Sequence, residues 1–232
     1  MEKIDWYAGV CPNNPKVRRT KLNSINQLIK FNNIDGIWLD FIRFPCHWEE
    51  VRNSNIIEYC FCKICINKFK REVGGKPEGN KWTEWKCRQI ANFVSDINHL
   101  IQKNGKNIKL GMFAIPWQKH EFGGAIKNII GQDFKQLTKY IDIFTPMVYH
   151  KFCGRSISWI SETIKYFSRM THAPILPIIQ SENRPENISK KEFLREMEVA
   201  QKNPSDGYII FFLEDLLKDS NKIELLQSQN LV

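Results

Sequence analysis

The stretch Asp35-Gly36-Ile37-Trp38-Leu39-Asp40-Phe41-Ile42-Arg43-Phe44-Pro45 constrains the fold more than any other part of the chain. An acidic turn leads into a short apolar run, and Pro45 stops it. A run this short between Gly and Pro reads as a buried parallel strand from Gly36 to Ile42, not as a helix. An Asp and an Arg inside such a strand are costly unless they are paired, hydrogen-bonded or used. Two readings follow. Either Asp40 and Arg43 form a buried pair that orders the strand end, or Asp40 is a catalytic carboxylate at the C-terminal end of a barrel strand.

The rest of the chain repeats this grammar. Strand-like runs at Ile4 to Val10, Ile108 to Ile115, Ile141 to Val148, Pro174 to Gln180 and Gly207 to Leu213 alternate with helical patterns. That alternation implies βα units and a mostly parallel sheet, with about six strands in all. Leu22, Ile25, Leu28 and Ile29 mark one helix. Trp82, Trp85, Phe93, Val94, Ile97, Leu100 and Ile101 mark a longer one with a core-facing stripe. A short amphipathic helix is expected to close the chain. Residues from about 46 to 80 read as a Cys-rich insertion broken by Gly74-Gly75-Lys76-Pro77.

At 232 residues the simplest expectation is one domain spanning 1–232. Hydrophobic residues at 42% and charged ones at 25% suit an ordinary globular chain. No apolar run is long enough for a membrane helix, and no signal-peptide pattern opens the sequence, so the chain reads as cytoplasmic with no membrane partner. The net charge of +9 raises nucleic-acid binding as a third function. The bases are, however, interspersed with acids, as in Lys190-Lys191-Glu192, and no zinc-finger spacing or RNP-like motif is present. That pattern disfavours a nucleic-acid partner.

Polar groups recur at the ends of the predicted strands. Asp40 and Arg43 follow one, Trp117 another, then Tyr149 and His150, then Gln180 and Glu182, and Glu214 with Asp215 end the last. In a parallel barrel they would gather at one rim. Acids, an amide and aromatic faces suit a carbohydrate. Loop ends are also polar for no functional reason, and that reading stays open. Asp40 is the expected catalytic carboxylate, with Arg43 keeping it ionised and its pKa low. Glu49, Asp133 and Glu182 are candidate acid partners, with an exposed loop acid as the alternative for Glu49 and for Glu182. Tyr149, His150 and Gln180 would bind sugar hydroxyls, and Trp117 would stack on a ring. No cofactor is needed for such chemistry.

Seven cysteines without a secretory signal argue for free thiols or a metal, not for a disulfide framework. Cys60, Cys62 and Cys65 are spaced to hold a structural Zn2+ with a fourth ligand from Cys46, His47 or Cys87. Unmetallated thiols are the alternative. Cys11 and Cys153 read as plain small apolar residues.

The 35–45 motif resembles the DGI-x-LD-[FY]-IR-[FY]-P signature of the family-10-like (GHL) group of glycoside hydrolases. Cys11-Pro12-Asn13-Asn14-Pro15, Cys60-Phe61-Cys62-Lys63-Ile64-Cys65, Gly131-Gln132-Asp133-Phe134 and Asp142 to His150 match in order. The resemblance implies a (β/α)8 TIM-type barrel, incomplete at its N-terminus, acting on the glycosidic bonds of a poly- or oligosaccharide. In related sequences further βα units precede the Cys11-Pro12 segment. The missing strands are therefore expected from a segment supplied in trans or from another copy in a homo-oligomer. The chain is more distantly similar to chitinase-like glycosidases, whose strand reads DG-x-D-x-D-x-E. Trp38 and Ile42 replace two of those acids, and only Asp40 and the Met147/Tyr149 pair match. A carbohydrate-binding barrel that has lost catalysis is the alternative to a hydrolase.

Overall fold

The longest helix shows how this sequence organises itself. α3 (Gly79–Lys103) buries Trp82, Trp85, Ile90, Val94, Ile97 and Ile101, which recur at helical spacing on one face. Burying each such side chain contributes about 1.5–3 kcal/mol. The computed structural model describes residues 9–31, 33–49 and 56–229. These form two units, one from 9–47, 56–112 and 117–142, the other from 48–49, 113–116 and 143–229. The predicted strand from Ile4 to Val10 lies almost wholly outside the described residues.

In the first unit α1 (Pro15–Phe31) leads to β1 (Gly36–Leu39). Then come α2 (Lys63–Glu72), α3 and β2 (Lys109–Ala114), whose last two residues belong to the second unit. Two short helices follow, α4 (Ala125–Asn128) and α5 (Phe134–Leu137). β1 and β2 pair in parallel, Gly36 opposite Lys109 and Leu39 opposite Met112. Asp142 continues the ladder, its N–H donating to the Leu110 carbonyl at 2.8 Å. Gly111 is required here, because a Cβ would lie 2.3 Å from the Trp38 ring. The expected Cys-rich insertion contains all of α2. Gly74 and Gly75 follow it at φ +81° and +75°, which is why that helix stops.

The second unit holds β3 (Ile143–Pro146), α6 (Ser158–Met170), β4 (Ile178–Gln180), α7 (Lys190–Ala200) and β5 (Ile209–Phe211). α8 (Leu213–Lys218) and α9 (Ser220–Ser228) end it, two helices where the sequence suggested one. Met147 N–H donates to the Ala114 carbonyl, and Val148 N–H to that of Ile178. β4 and β5 pair in parallel, Ile178 opposite Ile209. The core gathers Val148, Trp159, Ile160, Ile164, Ile179, Phe193 and Met197. Among the described residues no helix is long and apolar enough to cross a membrane.

The βα alternation is thus present, but the strands are shorter than the apolar runs suggested. β1 ends at Leu39, not Ile42, because Phe41 adopts a left-handed conformation at φ 52° and turns the chain. The described strands form small parallel ladders and do not by themselves display a closed (β/α)8 barrel.

Candidate functional site

The turn after β1 is the centre of the first unit's candidate site. Asp40 Oδ1 accepts the Phe41 N–H at 2.7 Å, and Phe41 carries the positive φ. A bulky residue in that region costs on the order of 1–3 kcal/mol, and such strain concentrates at functional sites. The Arg43 guanidinium stacks over the Phe41 ring at 4.4 Å. Arg43 is buried, and among the described residues its Nε and Nη1 have no hydrogen-bond partner. Phe44 N–H donates to the Ile130 carbonyl, and Gln132 Nε2 donates to that of Ile42 at 3.4 Å. Gly131, at φ +78°, lies where a Cβ would press on Phe44 at 2.9 Å. The Gly131-Gln132 part of the sequence motif therefore supports the Asp40 turn from behind.

Asp40 and Arg43 line a cavity of ≈ 380 Å³ with Val10, Pro12, Leu39 and Phe41. The Asp40 carboxyl differs from the sequence expectation. Desolvation by the protein around it raises its pKa above the usual aspartate value, although the residue is exposed, and the Phe41 N–H and Arg43 only partly oppose the rise. Arg43 does not hold it low.

The other candidates of this unit are internally engaged. Asp133 is the N-cap of α5, accepting the Lys135 N–H, and its Oδ2 pairs with Lys127 at 2.7 Å. Trp117 is buried against Phe122, ring centroids 4.8 Å apart. Both read more simply as structural.

In the second unit Tyr149 is buried between Trp48 and Phe211, with centroids 6.0 and 5.3 Å away. Gln180 is fully buried; its Oε1 accepts the Phe152 N–H, and its Nε2 donates to the Glu182 and Arg184 carbonyls. Glu182 pairs with Arg184. Glu49 is partly exposed. His150 is buried, its Nε2 3.1 Å from Glu192 Oε1. Desolvation lowers the His150 pKa, which the Glu192 hydrogen bond counters in part. Glu196 Oε1 lies 3.1 Å from Nδ1 without hydrogen-bond alignment. Burial first, then the Glu192 charge, push the Glu196 carboxyl up to about 9, against Lys222 and Lys151. Glu196 was legible: it shares the buried face of α7 with Phe193, Met197 and Ala200.

The cysteines correct the predicted ligand set. Cys11, Cys60, Cys62 and Cys65 bring their sulfurs within 4.8 Å of one another. Cys11 is the fourth member, not Cys46, His47 or Cys87, and it is no plain apolar residue. Cys87 instead lies buried in α3 with its thiol 3.7 Å from the Lys127 carbonyl, and burial pushes its pKa up to about 12. His47 falls outside the sulfur cluster. Thiol donation from Cys11 depresses the Cys60 pKa to about 2, and hydrogen bonding to Cys60 lifts Cys11 to about 12. Phe69, Trp82 and Trp85 wall the cluster, with Trp82 and Trp85 stacked at 4.8 Å. Beneath the wall, Lys86 is fully buried and engages Glu58 and the Asn128 carbonyl.

No family model matches the chain, and neither does any curated protein. Solved structures do. The chain is similar to the PgaB (BpsB) glycoside hydrolase domain from Bordetella bronchiseptica, at a TM-score of 0.70 and 14% identity, covering 98% of this chain and 67% of that one. It is also similar to the catalytic domain of beta-amylase from Paenibacillus polymyxa, at 0.55 and 9%, covering 93% and 67%. Both neighbours are TIM-barrel glycosidases. At such identities the likeness describes the fold alone.

Proposed function

We propose that this chain is a glycoside hydrolase acting on a poly- or oligosaccharide, with Asp40 as its proton-handling carboxylate. The observation that carries the reading is the Asp40 turn: a carboxyl just past β1, set by a strained Phe41, at the mouth of a cavity. In parallel α/β barrels the strand C-termini are where catalysis is placed. Phe41 is 40% exposed and offers an aromatic face to a sugar ring. The raised pKa suits a proton donor better than the ionised nucleophile expected from sequence. Arg43 lines the same cavity, has buried N–H groups unused among the described residues, and would place its positive charge near a substrate oxygen or a second carboxylate.

A non-catalytic carbohydrate-binding protein is a second reading, and one observation favours it. Two of the three candidate acid partners, Asp133 and Glu182, are spent on Lys127 and Arg184. Reducing-end release from a polysaccharide panel, with binding measured in parallel, separates the two. Hydrolysis lost in Asp40→Asn supports the enzyme; binding without turnover by the native chain supports the second reading. Neither binding nor turnover on any glycan would sink both.

A further inference from the structure

The cysteine cluster asks for an explanation that the carbohydrate chemistry does not supply. We propose that Cys11, Cys60, Cys62 and Cys65 hold one Zn2+ ion as a tetrathiolate, and that this ion fixes the Val10–Pro12 wall of the Asp40 cavity.

Spacing is the first support. A tetrahedral zinc with bonds of about 2.3 Å places its sulfurs about 3.8 Å apart. The Cys11 sulfur lies 3.4 Å from that of Cys65 and 3.6 Å from that of Cys62, and all four are within 4.8 Å. These separations exceed a disulfide bond, and the cysteines are free thiols. They also fit a single ion rather than a multinuclear iron–sulfur cluster, whose bridging sulfides spread the cysteine ligands further. An all-sulfur tetrahedron selects zinc over harder cations.

The surroundings complete the centre. Asn13 Nδ2 donates to the Cys65 sulfur at 3.3 Å from a buried position, the kind of outer contact that orients a thiolate ligand. Cys62 is the N-cap of α2 and Cys65 lies in its first turn, so one helix start fixes the positions of two of the four sulfurs. Phe69, Trp82 and Trp85 pack against the sulfurs, burying Cys65 and leaving Cys11, Cys60 and Cys62 partly buried. On binding, each thiol releases its proton to solvent and gives a sulfur lone pair to the metal, with no redox change. The ion then joins two segments 49 residues apart (Cys11 and Cys60, the nearest ligands on either side). One of them carries Val10 and Pro12, which line the cavity with Asp40.

The test uses the full chain and the metals Zn2+ and Co2+. Native protein should carry one zinc per chain by elemental analysis. The zinc-free reduced chain titrated with Co2+ should develop sulfur-to-cobalt charge-transfer and tetrahedral d–d bands that saturate at one equivalent. Cys11→Ser should lose the zinc, whereas Cys46→Ser, His47→Ala and Cys87→Ser should keep it. Should Cys11→Ser fail to fold, the native chain still decides. Alkylation after chelation should then newly label Cys11, Cys60, Cys62 and Cys65 and no other cysteine. Amide exchange around Val10–Asn13 should accelerate by about tenfold or more once zinc is withdrawn. Absence of the cobalt bands, or zinc loss in His47→Ala with retention in Cys11→Ser, would overturn the site. Unchanged amide exchange would overturn its role in the wall. None of these readouts depends on hydrolysis, so the metal centre stands or falls apart from the glycosidase reading.

Discussion

The cysteine corner and the Asp40 turn belong to the same unit and are built on opposite principles. At the corner the sulfurs face one another, Asn13 Nδ2 donates to Cys65, and three aromatic rings pack against the group. At the turn Asp40 and Arg43 line a cavity. Asp40 is exposed, Phe41 is strained, and two buried N–H-bearing atoms of Arg43 find no acceptor among the described residues. A closed set of partners stabilises a fold. An open set costs stability and persists where a ligand completes it. On the proposed reading, that difference suits the corner to a structural role and the turn to chemistry.

Breaking the corner should have the largest effect. If the corner holds the proposed ion, Cys65→Ser removes a fully buried sulfur of it and should cost more than about 4 kcal/mol, seen as a large fall in denaturant midpoint. A loss under about 1 kcal/mol would show the four sulfurs to be incidental neighbours.

Glu196 supplies an intermediate case, a closed pocket whose carboxyl lacks a hydrogen-bond partner among the described residues. It is raised to about 9 by burial and by Glu192, with Lys222 and Lys151 opposing and His150 beside it. Its sign follows from linkage. Between pH ~4.5 and ~9 the unfolded chain has lost the Glu196 proton and the folded chain has kept it, so stability declines as pH rises. Glu196→Gln should flatten that decline, matching the native chain near pH 5 and exceeding it by about 4 kcal/mol at pH 8 in chemical denaturation. Parallel stability curves for the two proteins would contradict the assignment.

Arg43→Met should have the smallest effect on stability, within about 1 kcal/mol, because it discards a guanidinium whose bonds are largely unmade. The same change should weaken glycan binding and raise the Asp40 carboxyl further by removing an opposing charge. A loss of about 3 kcal/mol or more would instead mark Arg43 as a buried partner and close the turn into a second structural corner.

How much of this was legible in the sequence varies with the range of the interaction. The stripe of α3 and the positions of β1 to β5 were readable, because periodicity reports which face is buried. Strand ends were not, since apolar composition continues through Phe41 and Ile42 while the backbone has already turned. Cys60, Cys62 and Cys65 announced themselves by spacing. Cys11 did not, because its partner lies 54 positions away and only the folded chain brings them together. Asp133 looked catalytic by motif and is a helix cap with a lysine partner. The low pKa expected for Asp40 rested on Arg43 alone and left out desolvation, the larger contribution.

The contrast between Asp40 and Asp133 gives the most direct measurement. Two carboxylates of one unit, one facing the cavity and one capping α5, are replaced separately by Asn in chains shown to be folded. The kcat/KM for reducing-end release is then compared with the native value on the most responsive polysaccharide. The account predicts a fall of about 100-fold or more for Asp40→Asn and less than about threefold for Asp133→Asn. Full activity in Asp40→Asn would contradict it.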